Sequence, residues 1–154
     1  MTILLRILSA AFLIVALLGK RWAYAAFFVS SLLYFPAQAG FHIDPHSCEL
    51  FVPMNLALYS FHNFAHEVLF TIFFIVSVIH FSHGTATRRS AFVNATVGSL
   101  IYGAIIEIGE GISGHGHCRL RDLLPDSAGI VAGAMIVLLW YAISDARRGM
   151  RVSR

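Results

Sequence analysis

The stretch from Phe61 to Ser82, FHNFAHEVLFTIFFIVSVIHFS, decides the fold class. Between Val68 and Ile79 only Thr71 and Ser77 interrupt a continuous run of apolar side chains. A helix that crosses a bilayer needs about 20 mainly apolar residues. Its backbone groups must also be paired within the segment, because hydrocarbon offers no hydrogen-bond partners. This stretch therefore predicts a transmembrane α-helix.

Four further apolar segments lie on either side of it, at residues 3–18, 22–36, 91–109 and 127–144. Together with 61–82 they predict an all-α, polytopic transmembrane helix bundle of four to five spans. Residues 1–154 would form this bundle as a single domain. The first segment allows two arrangements. It forms either a tight helical hairpin with the second, around Lys20 and Arg21, or a helix that lies at the membrane surface. We expect the hairpin.

The composition supports the same class of protein. Of 154 residues, 58% are hydrophobic and only 12% are charged, whereas soluble domains carry about 25% charged residues. This composition excludes a disordered chain, a fibrous repeat and an ordinary soluble enzyme. The expected partners are the lipid bilayer and other membrane subunits. The net charge of +3 reflects residues that flank the membrane, and we expect no binding of nucleic acid.

The distribution of Lys and Arg predicts the orientation in the membrane. One side of the predicted bundle holds eight basic residues: Lys20, Arg21, Arg88, Arg89, Arg147, Arg148, Arg151 and Arg154. The other side holds Arg6, Arg119 and Arg121, and residues 39–60 contain no Lys or Arg. Because basic residues accumulate on the cytoplasmic side, we predict a protein of the cytoplasmic (inner) membrane. Its C-terminus would be cytoplasmic, and the loops 39–60 and 110–126 would lie outside.

Ionisable side chains gather where three of the segments end on the predicted outer side. Glu107 and Glu110, at positions i and i+3, lie at the end of the segment 91–109. His66 lies near the start of the segment 61–82. Polar groups at membrane depth are costly, which makes them candidates for function. We predict an outer-leaflet pocket with a catalytic set of five residues: His66, Glu107, Glu110, Arg119 and Asp122.

Two interpretations of this set stay open. In the first, Glu107 or Glu110 acts as general acid or base and Arg119 holds an anionic head group. Histidine and carboxylates together could also bind a divalent metal. In the second, the side chains are held in head-group water, and Asp122 and Asp126 are acids of the kind favoured at the start of a helix.

The two cysteines each lie beside a pair of histidines in the predicted outer loops. His42 and His46 precede Cys48, and His115 and His117 precede Cys118. An oxidising exterior makes a Cys48–Cys118 disulfide the simplest prediction. Alternatively, the two thiolates and two of the four histidines would bind zinc or copper as a cofactor, or the histidines would be solvated and bind no metal.

One part of the sequence resembles the VanZ-like family of small integral membrane proteins. That family carries E-x-x-Q, then an Arg, then D-x-x-x-N-x-x-G-x-x-x-G. Here the corresponding residues are Glu107, Glu110, Arg119, Asp122, Asp126, Gly129 and Gly133, with acids in place of the glutamine and the asparagine. A D-K-x-x-H pattern of the family corresponds to His62-Asn63-x-x-His66. The resemblance implies a location and an architecture more than a reaction. The two glycines also form a small-xxx-small pair, which is typical of close helix packing.

These observations lead to two functional hypotheses. The first is a VanZ-like cell-envelope protein whose outer-leaflet His/carboxylate pocket binds or modifies a lipid-linked envelope substrate. The second is a non-catalytic accessory subunit of a larger multi-subunit membrane complex, with a metal or tetrapyrrole bound by histidine. The sequence leaves open whether the protein is an enzyme.

Overall fold

The computed structural model describes residues 2–18, 20–38, 43, 47–51, 53–61, 64–84, 87–113 and 118–152. The helices are α1 (Thr2–Leu17), α2 (Arg21–Gln38), α3 (Met54–Ser60), α4 (Phe64–Ser82), α5 (Arg88–Ser113) and α6 (Leu123–Val152). A 3₁₀ turn at Leu120–Asp122 leads into α6. In the described part of the chain, β-pairing is limited to an isolated parallel bridge between Glu49 and Arg119. The predicted all-α fold is therefore confirmed.

Three of the described helices are long and apolar enough to cross a membrane. They are α4, α5 and the segment Leu120–Met150, which contains α6. Helix α1 is apolar but shorter, and α2 is not among the three. The count of four to five spans therefore stays a prediction. The hairpin of the first two segments is present as two helices that pack against each other.

The helices extend beyond the predicted spans at several ends. Helix α5 includes Arg88 and Arg89 before its apolar part, and α6 continues through Arg147 to Val152. Helix α2 continues past Pro36 to Gln38. An apolar window finds only the part of a helix that fits hydrocarbon, whereas backbone hydrogen bonds continue into the polar layer. The helix ends therefore do not set the limits of the membrane spans, and the predicted spans stay predictions.

Helix α4 is the centre of the bundle and contacts α1, α2, α5 and α6. Its buried side chains Phe70, Phe73, Phe74, Ser77 and Val78 recur at i, i+3, i+4, i+7 and i+8, which places them on one helical face. On α5, the Tyr102 ring stacks on Phe73 with centroids 4.3 Å apart. The core is thus built on α4, which lies within the apolar stretch from Phe61 to Ser82.

Helices α4 and α6 approach closely at the two predicted glycines. A Cβ atom on Gly129 would collide with the carbonyl oxygen of Glu67, and one on Gly133 would lie 2.9 Å from the carbonyl oxygen of Thr71. The Thr71 hydroxyl lies 2.7 Å from the Glu67 carbonyl oxygen and 3.0 Å from that of Gly129. The predicted close packing at Gly129 and Gly133 is therefore confirmed.

The two ends of the bundle differ in character. We call the end that holds His66, Glu107 and Asp126 the polar end, where α4 and α6 begin and α5 finishes. At the opposite end, which we call the basic end, Arg88 forms a 2.8 Å ion pair with Asp145. Arg21 also lies at the basic end, because a Cβ atom on Gly84 would be 3.0 Å from its Nη2.

Candidate functional site

A histidine–carboxylate pair joins α4 and α6 at the polar end. Nδ1 of His66, in the first turn of α4, lies 2.8 Å from Oδ1 of Asp126, in the first turn of α6. The Asp126 side chain is 3% exposed and that of His66 is 22% exposed. The carboxylate is therefore buried behind an imidazole that can be reached from outside.

The local sequence explains how Asp126 becomes buried. Pro125 lies in the first turn of α6, where the missing N–H of proline is tolerated. On the facing helix α5, Gly103 leaves room for the carboxylate. A Cβ atom on Gly103 would lie 2.9 Å from Oδ2 of Asp126 and 3.3 Å from the Phe70 ring.

Glu107 is the second buried acid of the polar end, and it is only 4% exposed. Its Oε2 accepts a hydrogen bond from the backbone N–H of Arg119 at 2.9 Å. Oε1 of Glu107 and Oδ2 of Asp126 are buried and have no hydrogen-bond partner among the described residues. Because a buried polar atom without a partner is costly, both oxygens are suited to accept a proton or a donor group.

A disulfide between Cys48 and Cys118 forms, as predicted, with the Cα atoms 4.6 Å apart. Beside it, the Glu49 N–H donates to the Cys118 carbonyl at 2.8 Å, and the Leu120 N–H donates to the Glu49 carbonyl at 3.0 Å. A Cβ atom on Gly111 would lie 3.5 Å from both sulfur atoms, so the bridge packs on α5. The bridge thereby holds the segment that presents the Arg119 N–H to Glu107.

The structure brings some members of the predicted catalytic set close to one another. Glu107 is close enough to Glu110 and Asp122 for electrostatic interaction, and His66 is close enough to Glu107 and Glu110. Arg119 reaches the site through its backbone N–H, while its guanidinium Nε lies 3.4 Å from Oε2 of Glu49. That these residues serve one catalytic pocket stays a prediction.

Sequence reasoning did not include two residues that shape this site. Asp126, which one of the two open interpretations makes a helix-start acid, is the hydrogen-bond partner of His66. Its i,i+4 spacing from Asp122 already indicated a shared helical face, but Asp126 was not included in the set. Gly103 gave no signal, because its role depends on the facing helix.

The predicted metal site falls largely outside the described residues, since His42, His46, His115 and His117 all lie there. The alternative that used both thiolates does not hold, because Cys48 and Cys118 are bonded to each other. Among the residues that the structure describes, no group of three or more His, Cys, Asp or Glu side chains could hold a metal ion.

Comparisons with protein-family models, curated proteins and solved structures found no match to this chain. The VanZ-like resemblance therefore stays a prediction, and the function is argued from the site.

Proposed function

We propose that this chain is a cell-envelope membrane protein that uses His66 as a general base on the head group of a lipid-linked substrate. The observation that carries the proposal is the 2.8 Å hydrogen bond between Nδ1 of His66 and the buried Asp126. In catalytic triads a buried carboxylate holds the imidazole in one tautomer and one orientation in the same way.

The bond assigns different roles to the two ring nitrogens of His66. Because Oδ1 of Asp126 can only accept when ionised, Nδ1 donates and Nε2 carries the lone pair. The ring is partly exposed, so Nε2 can take a proton from a substrate hydroxyl or from water. The Asp126 carboxylate then stabilises the imidazolium that forms.

Glu107 supplies the second proton-transfer group. The Arg119 N–H holds one oxygen of its carboxyl group, and the other oxygen has no partner among the described residues. A carboxyl group in this position can return a proton to a leaving group while His66 removes one. Sites that catalyse group transfer or hydrolysis commonly contain an acid and a base in different local environments.

The position of the pair favours a lipid-linked substrate. His66 lies in the first turn of α4 and Asp126 in the first turn of α6, and both helices are long enough to span a bilayer. The ends of such helices lie at the level of the head groups. A head group could therefore reach His66 while its hydrocarbon stays in the bilayer. The VanZ-like resemblance suggests the same location.

The test uses the full chain in proteoliposomes made from a total lipid extract of its source membranes. Lipid species are followed by mass spectrometry, and we expect one head group to be converted. In His66→Gln the rate should fall at least about a hundredfold, since general acid–base catalysis contributes roughly 10²–10⁴. His83→Gln is the matched control, because His83 is exposed beyond α4 at the basic end.

Asp126→Asn tests the role of the tautomer, because the amide can donate to Nδ1 and place the N–H on Nε2. We expect a loss of similar size to that of His66→Gln. Conversion at the same rate by His66→Gln and wild type would refute the proposal. An inactive chain that purifies in a complex of fixed stoichiometry would favour the accessory-subunit hypothesis instead.

A further inference from the structure

A cleft of about 410 Å³ lies between α2, α4 and α5. Each of the three helices contributes to its walls, and the residues that matter here are Tyr24, Phe28, His80, Phe81, Gly98 and Ile101. Its volume falls within the usual range for small-molecule sites, about 300–1,000 Å³.

The cleft is polar at its mouth and apolar in its depth. Tyr24 lies in the first turn of α2 and His80 in the last turn of α4, so both are at the basic end. Gly98 lies ten residues into α5, about 15 Å along the helix axis from Arg88, and a Cβ atom there would lie 3.9 Å from the Phe81 ring. A polar mouth and an apolar interior match the head group and the hydrocarbon chains of a lipid in one leaflet.

His80 and Tyr24 are fixed against each other at the mouth. Their rings stack with centroids 4.1 Å apart, and the Tyr24 hydroxyl lies 2.9 Å from the Ser77 hydroxyl. Nδ1 of His80 is buried and has no hydrogen-bond partner among the described residues. The described residues therefore leave Nδ1 of His80 without a hydrogen bond at the mouth of the cleft.

Positive charge surrounds the same mouth. Arg21 begins α2 one turn before Tyr24, and its guanidinium lies beside Gly84 in the α4–α5 connection. It is close enough to His80 for electrostatic interaction. Lys20, the residue before it, is exposed. Guanidinium groups match phosphate geometry well, so the complementary ligand is anionic at its head and apolar in its tail.

We propose that this cleft binds one acyl chain of an anionic phospholipid, with the phosphate held at Arg21 and His80. The proposal does not depend on catalysis at His66, because the phosphate site at Arg21 and His80 lies at the basic end, at the opposite end of α4 from His66. The bound lipid would stabilise the packing of α2 against α4 and α5.

The test is native mass spectrometry of the delipidated full chain, titrated with dioleoyl-phosphatidylglycerol or with dioleoyl-phosphatidylcholine. The two lipids have the same acyl chains and differ in net charge. We expect one phosphatidylglycerol to bind preferentially. In Arg21→Gln its affinity should fall about fivefold, the effect expected of one basic residue at a membrane surface. Arg89→Gln is the charge-matched control, since two and a half turns of α5 separate Arg89 from Gly98 and place it on the opposite face.

Gly98→Leu tests the apolar part of the cleft. Among the described residues, a Cβ atom on Gly98 would meet the Phe81 ring, at 3.9 Å, so there is room for the side chain to begin here and for its outer atoms to occupy the cleft. We expect it to abolish the bound lipid. Gly109→Leu on the same helix is the control, because no atom of the described residues lies within 4 Å of a Cβ atom there.

Three outcomes would overturn the proposal. They are equal binding of phosphatidylcholine, unchanged binding in Gly98→Leu, and unchanged binding in Arg21→Gln. Because Arg21 is exposed, its variant keeps the proposal testable even where Gly98→Leu does not fold.

Discussion

Gly129→Ala should destabilise the protein, although alanine is the better helix former. Gly129 lies in α6 at the closest approach to α4. A methyl group there would collide with the carbonyl oxygen of Glu67 and lie 2.9 Å from Cβ of Phe70. Carbon–oxygen contacts normally measure about 3.3–3.6 Å, so the two helices must separate by roughly 1 Å.

The magnitude follows from two opposing effects. Alanine in place of glycine within a helix gains about 1 kcal/mol. Overpacking typically costs about 1–3 kcal/mol, and the upper value applies here because backbone atoms cannot rotate away. We therefore expect a net loss of about 2 kcal/mol in the free energy of unfolding. The same displacement would lengthen the 2.8 Å bond between His66 and Asp126 beyond about 3.6 Å, where a hydrogen bond is lost.

The assay is denaturant titration of the purified full chain in mixed micelles. Gly149→Ala is the matched control, because it lies on the same helix and nothing lies within 4 Å of a Cβ atom there. The control should be as stable as the wild type, or more stable by up to about 1 kcal/mol. Equal stability of Gly129→Ala and Gly149→Ala would refute the argument from close packing.

Two further predictions concern the polar end and the orientation. Replacing Cys48 and Cys118 by serine should lower the free energy of unfolding by up to roughly 4 kcal/mol in the chain-entropy model. The loss is smaller where the helices already restrain the loops, and denaturant titration measures it. Peptide mass spectrometry with and without reduction should detect the bridge, and two alkylated free thiols in the native protein would exclude it. A reporter fused after Arg154 should read cytoplasmic and one inserted near Ser47 should read exterior; the opposite result would contradict the predicted orientation.

Much of the fold could be predicted because its causes are local in sequence. The apolar run from Val68 to Ile79 predicted α4 without reference to any other helix. The disulfide could also be predicted, because the chain contains only two cysteines and both lie in loops assigned to the same side. The sequence predicted apolar spans and not helix ends, and α5 and α6 include Arg88 and Arg147, which lie outside those spans.

The candidate site was predicted less completely than the fold. The sequence placed His66 and Glu107 in a polar cluster, and both lie at the polar end. It assigned Arg119 by its charge, whereas the structure uses the backbone N–H of that residue. A side-chain type indicates a possible chemistry, but it does not indicate which atom of the residue will face the site.

The sequence by itself determined an all-α chain with helices long and apolar enough to cross a membrane and with ionisable groups collected near helix ends. The physical reason is that hydrocarbon accepts only long apolar segments whose backbone groups are paired internally. Only the tertiary structure decided that Asp126 is the partner of His66, across 60 residues of sequence. That pairing depends on the register of α6 against α4, which the close approach at Gly129 and Gly133 sets. It also depends on the space that Gly103 leaves on α5. The small-xxx-small pair predicts close packing but not which helix it faces, and no local pattern marks Gly103.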